Sequence, residues 1–171
     1  MDLERYIRDV PDFPREGIVF KDITPLLAEP AALDEAVRRL AEPFTGRGVD
    51  LVAAVESRGF IFGAAVAREL GAGFVPLRKP GKLPRETVRK EYALEYGTDA
   101  IEIHADAVGA GARVLMVDDL LATGGTMAAA CELVRELGGE VVAVAFLIEL
   151  CFLKGREKLP GCEIHTLIRV Q

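Results

Sequence analysis

The sequence predicts a single α/β domain in which helices flank a mainly parallel sheet. Three observations support this prediction: short apolar runs recur along the chain, amphipathic segments separate them, and glycine-containing turns lie between the two types. A run that is apolar at every position suits a strand buried on both faces, as in parallel sheets. The chain has 171 residues, 50% of them hydrophobic and 28% charged, so it can bury one sizeable core.

Two helices and one extended segment are predicted in the amino-terminal part. Residues 2–10 should form a short amphipathic helix that ends at Pro11. Its apolar positions follow helical spacing, at Leu3, Tyr6, Ile7 and Val10. Residues 18–23 are predicted to be extended. Residues 31–44 carry apolar side chains on one helical face, which predicts a second helix.

The next segments form a strand–helix–strand unit. Residues 49–55 and 74–78 are predicted strands, and residues 60–70 are the helix between them. Such a unit places its strands in parallel with a right-handed crossover. Residues 79–91 contain two prolines and a glycine without periodicity, so they should form a long loop.

A hairpin is predicted after this loop, with strands at residues 91–96 and 100–104. A buried strand then begins at Val114. The remaining predicted elements are a helix at residues 126–137, a strand at 140–148, a short helix or loop at 149–158 and an edge strand at 163–170. The alternation of strands and helices favours the α/β class.

Composition limits the classes of function. The net charge of −6 disfavours nonspecific binding to nucleic acid. The longest apolar run, residues 141–148, has the length of a strand and is far shorter than a membrane span. The amino terminus lacks a signal-peptide pattern, and three cysteines without a Cys-x-x-Cys pair are typical of free thiols. We therefore expect a cytoplasmic protein that binds neither nucleic acid nor membranes.

Residues 114–126 are the most informative stretch, with an apolar strand that leads into Asp118 and Asp119 and then a turn of small residues before a helix. Helix N-termini present unpaired N–H groups and a positive dipole end, which suit a phosphate. Gly124 and Gly125 allow the backbone to approach an anion closely. The two acids could bind neighbouring hydroxyls, so the stretch predicts a sugar-phosphate site, with a solvated turn as the alternative.

Two other segments carry charges that suit phosphate. Residues 56–59, Glu-Ser-Arg-Gly, follow a predicted strand, at the sheet edge where ligands bind in α/β proteins. Arg58 could donate two parallel hydrogen bonds to a phosphate, or it could be an exposed arginine at a helix start. Residues 78–91 hold six basic and two acidic side chains, which could collect a polyphosphate or form a solvated face.

Four ordered motifs resemble those of adenine phosphoribosyltransferases, a family of type I phosphoribosyltransferases. They are Glu-Ser-Arg-Gly-Phe (56–60), Arg-Lys-Pro-Gly-Lys-Leu-Pro (78–84), Leu-Glu-Tyr-Gly (94–97) and Val-Asp-Asp-Leu-Leu-Ala-Thr-Gly-Gly-Thr (117–126). The similarity extends over nearly the whole chain, from residues 12–14 to 153–156. It implies the type I phosphoribosyltransferase fold as a single domain over 1–171, with an N-terminal hood or base-recognition segment (1–30) and a flexible catalytic lid and hairpin (79–104).

The resemblance implies a purine salvage enzyme that transfers the 5-phosphoribosyl group from phosphoribosyl pyrophosphate (PRPP) to adenine, giving AMP and pyrophosphate. Its catalytic residues would be Glu95, near N7 of adenine, and Arg58, at the leaving group. Asp118 and Asp119 would bind the ribose hydroxyls. The 5-phosphate would be bound by Ala122, Thr123, Gly124, Gly125 and Thr126.

By the same resemblance, pyrophosphate would be bound by Glu56, Ser57, Arg58, Gly59, Arg78, Lys79 and Lys82. Adenine would contact Val19, Phe20 and Lys21. The sequence alone favours an exposed strand glutamate at Glu95, and ordinary core positions remain the alternative for Val19 and Phe20. Relatives often carry arginine at position 21, so Lys21 supports only a backbone role.

The resemblance further implies Mg²⁺ held by substrate and water, with no dedicated protein metal site, and a homodimer. His104 and His165 have no paired acid motif and are expected to be structural. Two alternatives to the adenine enzyme remain. One is a phosphoribosyltransferase for hypoxanthine, guanine or xanthine, and the other is a non-catalytic regulator that senses PRPP or purines.

Overall fold

Strands and helices alternate along the chain. The computed structural model describes residues 1–94 and 96–171. The described strands are β1 (Arg8–Pro11), β2 (Val19–Asp22), β3 (Leu51–Val55), β4 (Gly73–Leu77), β5 (Thr87–Ala93), β6 (Thr98–His104), β7 (Arg113–Leu121), β8 (Glu140–Leu150) and β9 (Ile164–Val170). The described α-helices are α1 (Thr24–Ala28), α2 (Pro30–Ala41), α3 (Arg58–Leu70) and α4 (Gly125–Glu136), and short 3₁₀ helices cover Leu3–Tyr6, Glu42–Phe44, Cys151–Leu153 and Gly155–Lys158.

Five strands form one parallel sheet in the order β4-β3-β7-β8-β9. Its central strands are almost continuously apolar because both faces are covered. Helices α1 to α3 pack on one face, where Phe62 and Leu115 are buried. Helix α4 and the β5–β6 hairpin cover the other face, around Met116 and Phe146. The predicted α/β class with a mainly parallel sheet is confirmed, and the predicted edge strand is β9.

The predicted helix over residues 2–10 is wrong. Only Leu3–Tyr6 form a short 3₁₀ helix, and β1 then pairs antiparallel with β2, with Val10 opposite Phe20. The physical reason is that a nine-residue helix is only marginally stable on its own. Pairing with β2 instead provides backbone hydrogen bonds, while Leu3 still reaches the core.

The β5–β6 hairpin begins inside the predicted loop. Strand β5 starts at Thr87 and pairs antiparallel with β6, so the irregular segment is shorter than the predicted 79–91. The hairpin is joined to the edge strand β4 through Arg78 and Glu102, whose backbone N–H groups donate to each other's carbonyl oxygens at 2.9 and 2.7 Å. Strand β4 also contains Pro76. The base of the hairpin is therefore attached to one edge of the parallel sheet.

Helix α2 is typical of the helical layer, since it buries an apolar face, Ala32, Ala36, Leu40 and Ala41, while Asp34 and Arg38 are exposed. None of the helices in the described ranges combines the length and the apolar character that crossing a membrane would require.

Candidate active site

A cleft of about 450 Å³ opens at the carboxyl ends of β3 and β7. Strand β4, which follows β3, lies on one side of this pair, and β8, which follows β7, lies on the other. The loops after β3 and β7 therefore diverge, and such a switch point is where α/β sheets bind ligands. The cleft is lined by Phe20, Val55, Glu56, Ser57, Arg58, Lys79, Tyr92, residues 118–127 and Phe146.

Two adjacent carboxylates occupy the end of β7. The strand continues to Leu121, so Asp118 and Asp119 lie within it rather than after it. The side chain of Asp119 is largely buried and that of Asp118 is partly buried, and the Asp119 N–H donates to Asp118 Oδ1 at 2.9 Å. Burial, followed by the charge of Asp119, raises the pKa of Asp118 well above its ordinary value. The ionised form of Asp118 is therefore disfavoured, and hydroxyl donors or a cation would stabilise it.

Helix α3 approaches these carboxylates very closely at its first turn. A Cβ atom on Gly59 would lie only 2.7 Å from Asp118 Oδ1, so a larger residue there would displace the Asp118 carboxylate. The preceding residue, Arg58, begins the helix. Its Nε lies 2.8 Å from Asp119 Oδ2, and its guanidinium carbon lies 5.0 Å from the centre of the Phe20 ring. One arginine therefore contacts both a β7 carboxylate and the aromatic ring at the opposite wall.

The small-residue turn after β7 has the geometry of an anion site. Gly124 is the N-cap of α4 and has φ of +84°, a conformation that L side chains rarely adopt. The first turn of an α-helix leaves its N–H groups without intrahelical partners, and the dipole adds positive potential there. Because Ala122 and Thr123 also line the cleft, these backbone groups can bind a phosphate beside the two carboxylates.

The segment after β4 provides a cation to the cleft. The Lys79 Nζ donates to the Asp99 carboxylate and, at 3.2 Å, to the Tyr92 hydroxyl. Partial burial alone would lower the pKa of Lys79, but the hydrogen bonds to Asp99 and Tyr92 outweigh it and raise that pKa. Glu56 Oε1 accepts from the Lys79 N–H at 2.7 Å and from Arg78 Nε at 3.1 Å. Lys79 is therefore held in the cleft as a charged side chain.

Comparison with known proteins identifies the family. The phosphoribosyl transferase domain family matches residues 22–160. The adenine phosphoribosyltransferase of Thermobifida fusca is 61% identical over 168 residues, which are 98% of this chain and 96% of that protein. The chain belongs to the adenine phosphoribosyltransferase family.

Solved structures of adenine phosphoribosyltransferases have the same fold. The enzyme of Thermoanaerobacter pseudethanolicus is 56% identical and superimposes with a TM-score of 0.96 over 99% of this chain and 98% of that chain. The enzyme of Saccharomyces cerevisiae, complexed with D-2,5-dideoxy-2,5-imino-altritol 1,6-bisphosphate and adenine, is 43% identical with a TM-score of 0.91 over 96% of each chain. These similarities confirm the predicted type I phosphoribosyltransferase fold.

Not every site residue implied by the family resemblance lies in the cleft. Of the pyrophosphate set, Arg78 pairs with Glu56 and Lys82 is exposed, and neither lines the described cleft. Of the adenine set, Phe20 lines it, whereas Val19 is 48% exposed and Lys21 Nζ contacts Asp9 at 2.6 Å. Ser57 lines the cleft and is joined to Glu56 by a cis peptide bond. Glu95 lies outside the described residues.

The phosphoribosyltransferase cleft also contains a residue that sequence reasoning did not place there. Tyr92 lines it, and its hydroxyl donates to Oδ2 of Asp99, on the facing strand β6, at 3.3 Å. Its ring lies beside the small-residue turn after β7, since Cδ2 would lie 3.7 Å from a Cβ atom added at Gly125. Tyr92 falls in the predicted strand 91–96, and its alternation with Val88 and Lys90 in β5 was the available signal for a longer strand. The prolines and the glycine of residues 79–91 led instead to a loop prediction up to residue 91.

Proposed function

We propose that this chain transfers the 5-phosphoribosyl group of PRPP to adenine, producing AMP and pyrophosphate in purine salvage. The convergence of Asp119, Arg58 and Phe20 is the observation that carries the proposal, because one arginine contacts both a carboxylate suited to ribose and an aromatic ring suited to a purine. The turn of residues 122–126, here called the phosphate turn, lies in the same cleft. Membership of the adenine phosphoribosyltransferase family favours adenine over other purines.

In the proposed complex, Asp118 and Asp119 accept hydrogen bonds from the ribose hydroxyls. The backbone N–H groups of residues 122–126, with the hydroxyls of Thr123 and Thr126, hold the 5-phosphate. The positive φ of Gly124 and the start of α4 support this assignment, because they present several N–H donors toward one anion. The ribose is thereby fixed at two points.

Pyrophosphate is proposed to lie on the opposite side, against Arg58, Lys79 and the 56–59 turn. A guanidinium suits this role because its planar fork can donate two parallel hydrogen bonds to phosphate oxygens. The raised pKa of Lys79 supports a full positive charge there at neutral pH. Arg78, directly after β4, and Lys82, from the proposed lid segment, are proposed to contribute further positive charge.

Adenine is proposed to stack on Phe20, with the backbone of Val19 and Lys21 contacting its amino edge. Glu95 is proposed to share a proton with N7 while N9 attacks. The Phe20 ring faces the cleft and already contacts a planar cation, the Arg58 guanidinium, which supports its use as a stacking surface.

As the glycosidic bond to pyrophosphate breaks, the anomeric carbon becomes positive and the leaving group gains negative charge. These side chains contribute by aligning the base and stabilising that charge.

Mg²⁺ is the implied metal and is proposed to be held mainly by the substrate. The carboxylates of Asp118 and Asp119 are hard oxygen ligands beside the expected ribose hydroxyls, which fits an ion that prefers oxygen and retains several waters. Among the residues that the structure describes, no cluster of three or more His, Cys, Asp or Glu side chains could hold a metal. When bound, Mg²⁺ would supply charge neutralisation for the leaving pyrophosphate.

The deciding experiment is to measure pyrophosphate release from PRPP and Mg²⁺ with each purine alone and in competition. We expect turnover with adenine, and preferred use of hypoxanthine, guanine or xanthine would contradict the assignment. Binding of PRPP without turnover of any base would indicate a sensing protein instead.

Glu95→Gln should lower turnover more than PRPP binding. A cytoplasmic homodimer is proposed from the family resemblance, and sedimentation of the purified protein tests the dimer.

A further inference from the structure

The phosphate turn rests on a second segment of backbone. A Cβ atom on Gly124 would lie 2.4 Å from the Gly155 carbonyl oxygen, and a Cβ atom on Gly155 would lie 2.4 Å from the Ala122 carbonyl oxygen. The turn at residues 122–124 and the segment around Gly155 are therefore in direct backbone contact. Any displacement of Gly155 must move the turn that is proposed to hold the 5-phosphate.

The segment around Gly155 has little regular structure of its own. It consists of two short 3₁₀ helices, Cys151–Leu153 and Gly155–Lys158, joined at Lys154 with φ of +52°. Short 3₁₀ helices have poor hydrogen-bond geometry and limited intrinsic stability. Such a segment needs an external tether to keep a fixed position.

A buried carboxylate provides that tether. Glu149 lies near the end of β8, opposite Leu121 of β7, and its side chain is almost completely buried. It accepts two hydrogen bonds from Arg156, from Nε at 2.5 Å and from Nη2 at 2.7 Å. Thr166 Oγ1 donates to it at 3.1 Å, and Arg169 Nε lies 3.3 Å away. Arg156 directly follows Gly155, so this bidentate pair fixes the backbone that contacts the phosphate turn.

We propose that Glu149 and Arg156 are positioning residues for the 5-phosphate of PRPP and AMP. Neither residue lines the described cleft. They act by holding Gly155 against Gly124, which keeps the N–H donors of the phosphate turn aligned. The inference rests on the proposed function, since it assigns the 5-phosphate to that turn. It adds two residues from outside the cleft to the determinants of phosphate affinity.

The test compares AMP with adenosine, which share base and ribose and differ in the 5-phosphate. Calorimetry measures both affinities for the wild type, Glu149→Gln and Arg156→Lys. Arg156→Lys keeps the positive charge but cannot make the bidentate contact. Glu163→Gln is the matched control, because Glu163 makes a bidentate pair with Arg47, at 2.8 and 2.9 Å, at the opposite end of the sheet. Thermal unfolding establishes that each variant is folded.

We expect Arg156→Lys and Glu149→Gln to weaken AMP binding by between about 10-fold and 100-fold, as small displacements of a positioned group do, while adenosine binding stays unchanged. The Michaelis constant for PRPP should rise in parallel and that for adenine should not. Equal weakening of AMP and adenosine, or unchanged AMP affinity in a folded Arg156→Lys variant, overturns the inference. If the wild-type protein binds AMP no more tightly than adenosine, the assignment of the 5-phosphate to the phosphate turn fails, and the inference fails with it.

Discussion

Replacing Gly124 with alanine tests the phosphate turn directly. The residue has φ of +84°, and moving an L residue into this region costs about 1–2 kcal/mol. The new Cβ would also lie 2.4 Å from the Gly155 carbonyl oxygen, and the two must separate to at least 3.0 Å. That oxygen is backbone and cannot rotate away, so overpacking adds about 1–3 kcal/mol. These two costs sum to about 2–5 kcal/mol, and stiffening of the unfolded chain offsets about 0.4–1 kcal/mol of that sum. We expect a net loss of about 1–5 kcal/mol in the free energy of unfolding.

Gly46→Ala is the matched control for this variant. Gly46 has φ of +74°, but a Cβ there would have no atom within 4 Å. Each alanine reduces the entropy of the unfolded chain, which contributes about 0.4–1 kcal/mol of stability in both variants. The difference between their free energies of unfolding therefore isolates the contact with Gly155. Urea unfolding gives the two free energies, and steady-state kinetics give the Michaelis constants. Gly124→Ala should raise the constant for PRPP and leave that for adenine unchanged. Equal destabilisation of both variants with unchanged PRPP kinetics would refute the reasoning.

Three further substitutions test separate parts of the cleft. Because burial raises the pKa of Asp118 in the folded state, the wild type loses stability as the pH rises above the ordinary carboxyl value of 3.8. Asp118→Asn should therefore be more stable than the wild type in urea unfolding at pH 7 but not at pH 3, and should lose PRPP transfer; a less stable variant at pH 7 contradicts this. Phe20→Leu should raise the Michaelis constant for adenine and not that for PRPP, as initial rates will show, and an equal rise in both would remove Phe20 from the base site. Lys79→Gln should weaken inhibition by pyrophosphate by about 10-fold to 100-fold, since a charged hydrogen bond contributes about 1.5–3 kcal/mol, and unaltered inhibition would exclude that contact.

The sequence predicted the parts of the site that are local in the chain. Asp118, Asp119 and the glycines after them share one strand–turn–helix segment, so their relation follows from periodicity and turn chemistry. Arg58 follows from the same strand–turn–helix pattern at β3 and α3. The rule for parallel sheets then brings both strand ends together, because their carboxyl ends meet at one edge.

The remaining parts depend on contacts between segments that are distant in the chain. Gly155 contacts Gly124 although α4 and β8 separate the two in the chain, and no local pattern encodes this contact. The N-terminal strand β1 exists because β2 pairs with it, whereas the spacing of its apolar residues suggested a helix. Local propensity is a weak guide where tertiary pairing decides the outcome.

The attachment of the hairpin to β4 also affects how the molecule meets other chains. An edge strand presents unpaired backbone groups that can pair with a strand from another protein and start aggregation. Pro76 removes one donor from β4, and the Arg78–Glu102 bridge occupies the backbone groups at its end. The hairpin that borders the cleft thereby also covers the end of the sheet edge, so shortening it would expose backbone groups to pairing and remove part of the cleft lining.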